Sequence, residues 1–474
     1  MEERFETKRE EFRYLATQQK QRPELFAQKT FVEDAETLGE FGIFIPGKET
    51  CGKGLLKLWF DDFIVEERGK RGVSSVTGAA PLLGVEGQTI YATLIKCGVS
   101  TIEAVEDISK KLGIRVEDVS YAGIKDKDAL TSQEISLRRT TLSATESLHS
   151  PHFFLRDVRT GSGVVEKGSL TGNRFTIFVR IEPEFVEEQK AEQFLQKLKA
   201  VQQFGFYNFY YLQRFGTPRL RNFYWARLIL MGKYEEAVRD IFAFEGEREL
   251  PFFKDIRRQM GKEFGHFDEI LHLIEPLPLM FRHEHRLASY LSQHPGDYVG
   301  ALQAIPEQIT LWMYALSSIL FNQYISNCLM RDEEPPERIP LFLSRDKEAY
   351  APYRDMLEGL QLYPPPFVNL RPFPQVLLKH REASTKERAD IHKAELTPEG
   401  VALEFDLGKG QYATTFLSHL FNLVVGVVPE SFSKAQVDTK ALLGEPSLTE
   451  VREQFADVMR AKEEHILETF SPEA

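Results

Sequence analysis

Residues Tyr121–Ser136 read YAGIKDKDALTSQEIS. Ser120–Ala122 reads as a short strand, and Gln133–Leu137 alternates as a second strand. Between them a turn places Asp126 between Lys125 and Lys127, just after Gly123. Positive charge nearby favours the ionised carboxylate. An ionised, positioned carboxylate is a candidate nucleophile or base. The same KDKD run would also suit an ordinary solvated turn, so the flanking segments have to decide.

Upstream, Leu55–Glu66 reads as strand with a break near Phe60-Asp61, and Thr89–Cys97 as another strand. Residues Arg68–Gly87 form a Gly- and Ser-rich loop ending past Pro81. Thr101–Leu112 carries Ile102, Val105, Ile108 and Leu112 at helical spacing, with Thr101 as the expected N-cap. Downstream, Arg174–Ile181 alternates Phe175, Ile177, Val179 and Ile181 as a half-buried strand, and Glu187–Val201 is a predicted helix before the aromatic segment Phe204–Phe215. Beyond Thr217-Pro218 the pattern becomes helical, over Phe223–Met231, Tyr234–Phe244, His283–Leu291 and Gln308–Met330. Strand patterns return at Val376–Leu378 and Val401–Leu407. A helical domain inserted into an α/β domain accounts for this order. At the N-terminus, Phe5, Phe12 and Leu15 share one face of a helix near Glu2–Lys20. Ser447 and Glu450 form a capping box expected to open a helix reaching about Phe470.

The chain has 474 residues, of which 42% are hydrophobic, enough for two or three domains. Its charged start is not expected to be a secretory signal, and no run approaches the ~18 apolar residues of a membrane span. Cys51, Cys97 and Cys328 form no CxxC pair, so neither a zinc site nor a disulfide framework is expected. A net charge of −12 argues at first against a nucleic-acid partner. The distribution reverses that: residues 51–216 carry 22 Lys and Arg against 21 Asp and Glu, and the acidic excess lies outside. Residues 121–180 carry nine basic residues against six acidic ones, a candidate basic face for RNA phosphates.

The 121–136 stretch resembles the catalytic motif of the TruD family of tRNA pseudouridine synthases, close to AGxKDKxAxTxQ, in Ala122, Gly123, Lys125, Asp126, Lys127, Ala129, Thr131 and Gln133. Four further segments resemble the family in the same order. They are Gly54-Leu55-Leu56-Lys57 with Asp62–Glu66, Gly172-Asn173-Arg174-Phe175, Asn208 through Gln213-Arg214-Phe215-Gly216, and Gly410-Gln411-Tyr412-Ala413-Thr414. The resemblance implies an α+β fold, a mixed, largely antiparallel sheet core of pseudouridine-synthase type with an inserted, mostly helical domain. The expected organisation is an extension at 1–50, the catalytic core at 51–216 and 376–430, the insertion at 217–375, and a helical tail at 431–474. The insertion is expected to wall an RNA-binding cleft.

The resemblance also implies an isomerase that converts uridine to pseudouridine in tRNA, at position 13, without cofactor or metal. It implies Asp126 as the essential carboxylate, Phe175 as the surface on which a flipped uracil stacks, and Asn173 as its hydrogen-bonding partner. Lys57, Lys125, Arg214 and Gln133 are expected around the substrate, and Tyr412 beneath the site. A cytoplasmic monomer with no protein partner is the corresponding expectation. Two departures stand out. Tyr211-Leu212 occupies positions where the family has a glycine and a variable residue, and Ser418-His419 replaces an Arg-Glu pair, so any ion pair that arginine provides is absent or comes from elsewhere, from Lys57, Lys125 or Arg214. Competing motifs fail. Gly47–Lys53 fits GxxxxGK, but Gly54 stands where a phosphate loop needs Ser or Thr. His283-Glu284-His285 is not HExxH and no PCxxC accompanies it.

Overall fold

The structure, a computed structural model, describes residues 2–78 and 86–461. The described chain divides into two compact units. One comprises residues 48–206 and 387–461 and is built on a sheet; the other comprises residues 2–47 and 207–386 and is mostly helical. The segment expected to stand apart as an N-terminal extension thus belongs to the helical unit.

The strands of the sheet unit are β1 (Lys53–Leu55), β2 (Phe63–Gly69), β3 (Thr89–Cys97), β4 (Val119–Tyr121), β5 (Leu130–Leu137), β6 (Phe153–Gly161), β7 (Gly172–Ile181), β8 (Asp390–Leu396), β9 (Gly400–Gly408) and β10 (Asn422–Gly426). They run in the order β10-β1-β7-β2-β5-β3-β6. Strand β9 lies along β7, β8 along β9, and β4 along β5. Pairs β10–β1 and β2–β5 are parallel and the other pairs along this path antiparallel, so the sheet is mixed and largely antiparallel. The break expected near Phe60-Asp61 is a single 3-10 turn, Phe60–Asp62, between β1 and β2. Val376–Leu378, read as strand, has no regular structure; its proline-flanked apolar run finds no partner strand.

Strand β3, TIYATLIKC, is buried along its whole length because both faces are covered. Ile90, Ala92 and Leu94 pack against Ala104, Val105 and Ile108 of the Thr101–Leu112 helix. Ile95 and Cys97, on the opposite face by the two-residue alternation of a strand, pack with Leu448, Val451 and Phe455 near the C-terminus. Each larger aliphatic side chain buried here contributes about 1.5–3 kcal/mol. The helix is capped by Ser100, not Thr101: Ser100 Oγ accepts from Glu103 N at 3.2 Å, and Glu103 Oε2 accepts from Ser100 N at 3.0 Å. Gly113, at φ +65°, closes its other end in the left-handed conformation that glycine adopts without a Cβ clash.

The expected C-terminal helix is short. It covers Thr449–Gln454 and lacks a side-chain cap, because the Ser447 hydroxyl bonds Asp438 instead; residues 462–470 of the expected helix lie outside the described residues. Buried ion pairs fasten this segment to the sheet, Lys440 to Glu66 at 2.8 Å and Arg452 to Asp61 at 2.5 Å. Arg180, itself fully buried against Asp62, donates to the carbonyls of Ser433 and Ala435.

The helical unit centres on Pro306–Met330, whose Asn322 carboxamide bonds Tyr210 N and O and the Phe41 carbonyl. Asn222–Leu230 packs along it, joined through the Trp225–Trp312 ring contact. Tyr211 is buried; its hydroxyl donates to Glu33, which also pairs with Arg248 at 2.6 Å. Among the described residues no helix is long and apolar enough to cross a membrane.

Candidate active site

Asp126 sits on the turn between β4 and β5, with its carboxylate half exposed. Three buried side chains hold the turn. Lys96, fully buried on β3, donates from Nζ to the Asp126 carbonyl at 2.6 Å and to the Val99 carbonyl at 2.8 Å. Thr101 Oγ1 accepts from Lys125 N at 2.9 Å and donates to Gln133 Oε1 at 2.9 Å. Gln133 Nε2 donates to the Gly123 carbonyl at 2.9 Å. Because Ser100 caps the helix, the Thr101 hydroxyl is left to serve the turn. Gln133, expected beside the substrate, is fully buried beneath it, a support rather than a contact.

The ammonium that faces Asp126 is that of Lys57, at 3.5 Å from Oδ2. Lys57 follows β1 with φ +59°, a conformation rare outside glycine. Its Nζ also lies 4.2 Å from the centre of the Phe63 ring, a cation–π distance. Lys125, the sequence neighbour, turns inward: its buried Nζ lies 2.8 Å from Glu67 Oε2 and 2.9 Å from Asn173 Oδ1. Burial pushes the Glu67 carboxyl above its ordinary range, with the Lys125 charge opposing it.

Asn173 and Phe175 lie on β7, between β2 and β9. Gly172 opens this strand, and the reason for glycine is close approach: a Cβ there would stand 2.2 Å from the Leu407 carbonyl oxygen. Phe175 is only 6% exposed. It stacks on Phe405 (5.3 Å, 17°) and meets Phe63 edge-on at 6.0 Å. Phe405 in turn packs on Phe416 at 4.4 Å. The support expected of Tyr412 thus comes from Phe405 and Phe416, while Tyr412 is 47% exposed. A chain of ring contacts, Phe416–Phe405–Phe175–Phe63, therefore ends at the Lys57 ammonium.

The basic face expected over residues 121–180 is mostly consumed internally. Lys125, Arg138, Arg139, Arg159, Arg174 and Arg180 all lie within ion-pair distance of carboxylates. Asp406 takes both Arg174 nitrogens, with Arg68 at 3.1 Å and His392 at 3.0 Å. Burial would raise this carboxyl, but the bonds from Arg174 and His392 outweigh it and hold it below the usual range. Asp390, His392 and Asp406 bring potential metal ligands within 4.8 Å of one another. The two guanidinium groups on Asp406 already supply its countercharge and would repel a cation there.

Two expectations lie elsewhere. Arg214 belongs to the helical unit, with its guanidinium 5.3 Å from the Tyr210 ring centre. His419 is buried under Phe206, its Nδ1 2.9 Å from the Thr415 carbonyl, and burial depresses its pKa to about 4. Sequence reasoning missed Lys96, Glu67 and the role of Thr101. A lysine within the otherwise apolar run of β3 was the available signal, since buried lysines are rare unless paired.

Comparisons with known proteins bear on the family and the fold. The family model for tRNA pseudouridine synthase D (TruD) matches residues 42–337. A probable tRNA pseudouridine synthase D of Methanopyrus kandleri is 28% identical over 53% of this chain. A probable tRNA pseudouridine synthase D 1 of Methanocaldococcus jannaschii is 30% identical over 60% of this chain and 71% of its own length. The matched region spans 61% of the Methanopyrus relative and 64% of one from Methanosarcina mazei. The crystal structure of a putative tRNA pseudouridine synthase D from Methanosarcina mazei shares the fold, with a TM-score of 0.62 at 24% identity, over 81% of this chain and 97% of that one. The family model covers more than half of the sequence: the chain belongs to the TruD family.

Proposed function

We propose that this protein isomerises uridine to pseudouridine in tRNA, at position 13, with Asp126 as the essential carboxylate. The observation that carries the reading is the Asp126–Lys57 pair: a half-exposed carboxylate on a turn fixed by Lys96, Thr101 and Gln133, faced by an ammonium at 3.5 Å. The reaction breaks the N1–C1′ bond, rotates the base and joins C5 to C1′. Each step asks for a carboxylate close to ribose and base, and Lys57 stands beside Asp126 as its countercharge. A base stacked in RNA has to be extruded before it can react, and is then held against an aromatic surface. Phe175, backed by Phe405, supplies that surface once the uracil displaces what covers it, and Asn173 supplies a polar contact from the same strand. Asp126 is the essential group of this chemistry, and the family resemblance implies no metal or cofactor beside it.

The test is pseudouridine mapping on unmodified tRNA treated with wild type and with Asp126→Asn, metals chelated. Conversion at a single uridine by wild type alone is expected. Tight RNA binding without conversion by either would reject the reading in favour of a non-catalytic RNA-binding scaffold. Conversion by both would refute the role of Asp126.

A further inference from the structure

Glu67 and Lys125 have no place in the reaction as described, yet they form a buried charge pair beside Asn173, the polar contact assigned to the uracil. Lys125 Nζ carries three hydrogens and no acceptor lone pair. The Asn173 atom facing it at 2.9 Å is therefore the carbonyl oxygen Oδ1. That assignment fixes the rest of the carboxamide: Nδ2, with its two hydrogens, turns away from Lys125. Glu67 Oε2 lies 2.8 Å from the same ammonium and holds it in place. Lys125 and Glu67 are both buried, at 5% and 2% exposure, while Asn173 is partly exposed. No protein acceptor among the described residues engages Nδ2.

We propose that Lys125, clamped by Glu67, fixes Asn173 as a hydrogen-bond donor to a carbonyl oxygen of the flipped uracil. This deepens the functional reading above and rests on it. A freely rotating carboxamide could offer donor or acceptor and would read the base edge poorly. A locked one presents NH2 alone, which suits a pyrimidine carbonyl and opposes an exocyclic amino group at the same place. Lys125 and Glu67 are then positioning residues: they act through Asn173 and touch neither base nor ribose. The backbone of Lys125 is tied to Thr101, so the lock and the Asp126 turn are parts of one rigid piece.

The test uses RNA carrying uridine, 2-thiouridine or 4-thiouridine at the target position, with product nucleosides separated after digestion. Sulfur is a poor acceptor, so thio-substitution of the oxygen that Asn173 reads is expected to cost wild type about tenfold in kcat/KM. In the Glu67→Gln/Lys125→Met double variant, which removes both charges together, the penalty is expected to shrink to within about twofold. Asn173→Asp keeps an acceptor for Lys125 and so preserves the packing, but puts an oxygen where the NH2 stood. It is expected to lower kcat/KM on uridine about a hundredfold and abolish the thio penalty. A merely structural cluster would slow all three substrates equally. The proposal is overturned if wild type shows no penalty at either carbonyl, if the double variant keeps the full penalty, or, where that variant does not fold, if Asn173→Asp keeps it. Absence of any conversion of the all-uridine RNA by wild type would reject the functional reading, and this one with it; a normal rate with an unchanged thio profile rejects this one alone.

Discussion

Replacing Lys96 with methionine separates the positioning of Asp126 from its chemistry. The Lys96 side chain is fully buried and donates to the carbonyls of Val99 and Asp126 at 2.8 and 2.6 Å. Charge-assisted bonds of this kind are worth about 1.5–3 kcal/mol each. Methionine fills nearly the same volume and also removes a desolvated charge, a relief of several kcal/mol. The two terms nearly cancel, so the expected loss of stability is only about 1–2 kcal/mol. Catalysis has no such offset. Without the ammonium, the backbone at Asp126 loses the anchor that sets the carboxylate against Lys57, and a displacement of about 1 Å costs on the order of a hundredfold in rate. Single-turnover pseudouridine formation should therefore fall about a hundredfold, while RNA affinity, measured by filter binding, stays within about twofold because Lys96 reaches no solvent. A folded Lys96→Met protein that turns over at the wild-type rate would refute the argument that this lysine positions the carboxylate.

Acid should destabilise the sheet unit through His419. Burial holds its pKa at about 4 against an ordinary 6.5, so the unfolded chain binds this proton more readily than the folded one. The contribution is fully present above about pH 6.5 and is lost as pH falls toward 4, up to about 3 kcal/mol; His419→Gln should flatten the melting-temperature profile across that window, and parallel wild-type and variant profiles would count against it. In the helical unit, Tyr211→Phe removes the hydroxyl that Glu33 accepts and is expected to cost about 1.5–3 kcal/mol in urea denaturation. A loss below about 0.5 kcal/mol would mean that Arg248 alone satisfies Glu33.

The parts of this structure that were legible in the sequence are those decided locally. Alternation in FTIFV gave β7, and the spacing of Val105, Ile108 and Leu112 gave the helix against β3. The strand–turn–strand reading of residues 120–137 placed Asp126 on an accessible turn. The misread parts were decided at long range. Thr101 looked like a helix cap because Ser and Thr are both good caps, and only the position of Gln133, 32 residues on, gives its hydroxyl another use. Lys125 and Lys127 look equivalent beside Asp126 in the sequence. Which one turns inward is decided by Glu67 and Asn173, residues 58 and 48 positions away by number.

The same long-range pairing corrects the reading of charge. Counting cations over residues 121–180 suggested a face for RNA, but a count cannot see partners. Arg174 is committed to Asp406, 232 residues away, and Arg180 to Asp62, 118 residues away. Such pairs contribute little net stability once desolvation is counted, but breaking one strands a buried charge. They therefore work as constraints on geometry more than as sources of stability. Around Asp126 that is what the chemistry needs: Lys57 is left facing the carboxylate because Lys125 and Lys96 are engaged below it. Among the described residues, the ammonium 3.5 Å from Asp126 comes from a different motif, 69 residues earlier in the chain.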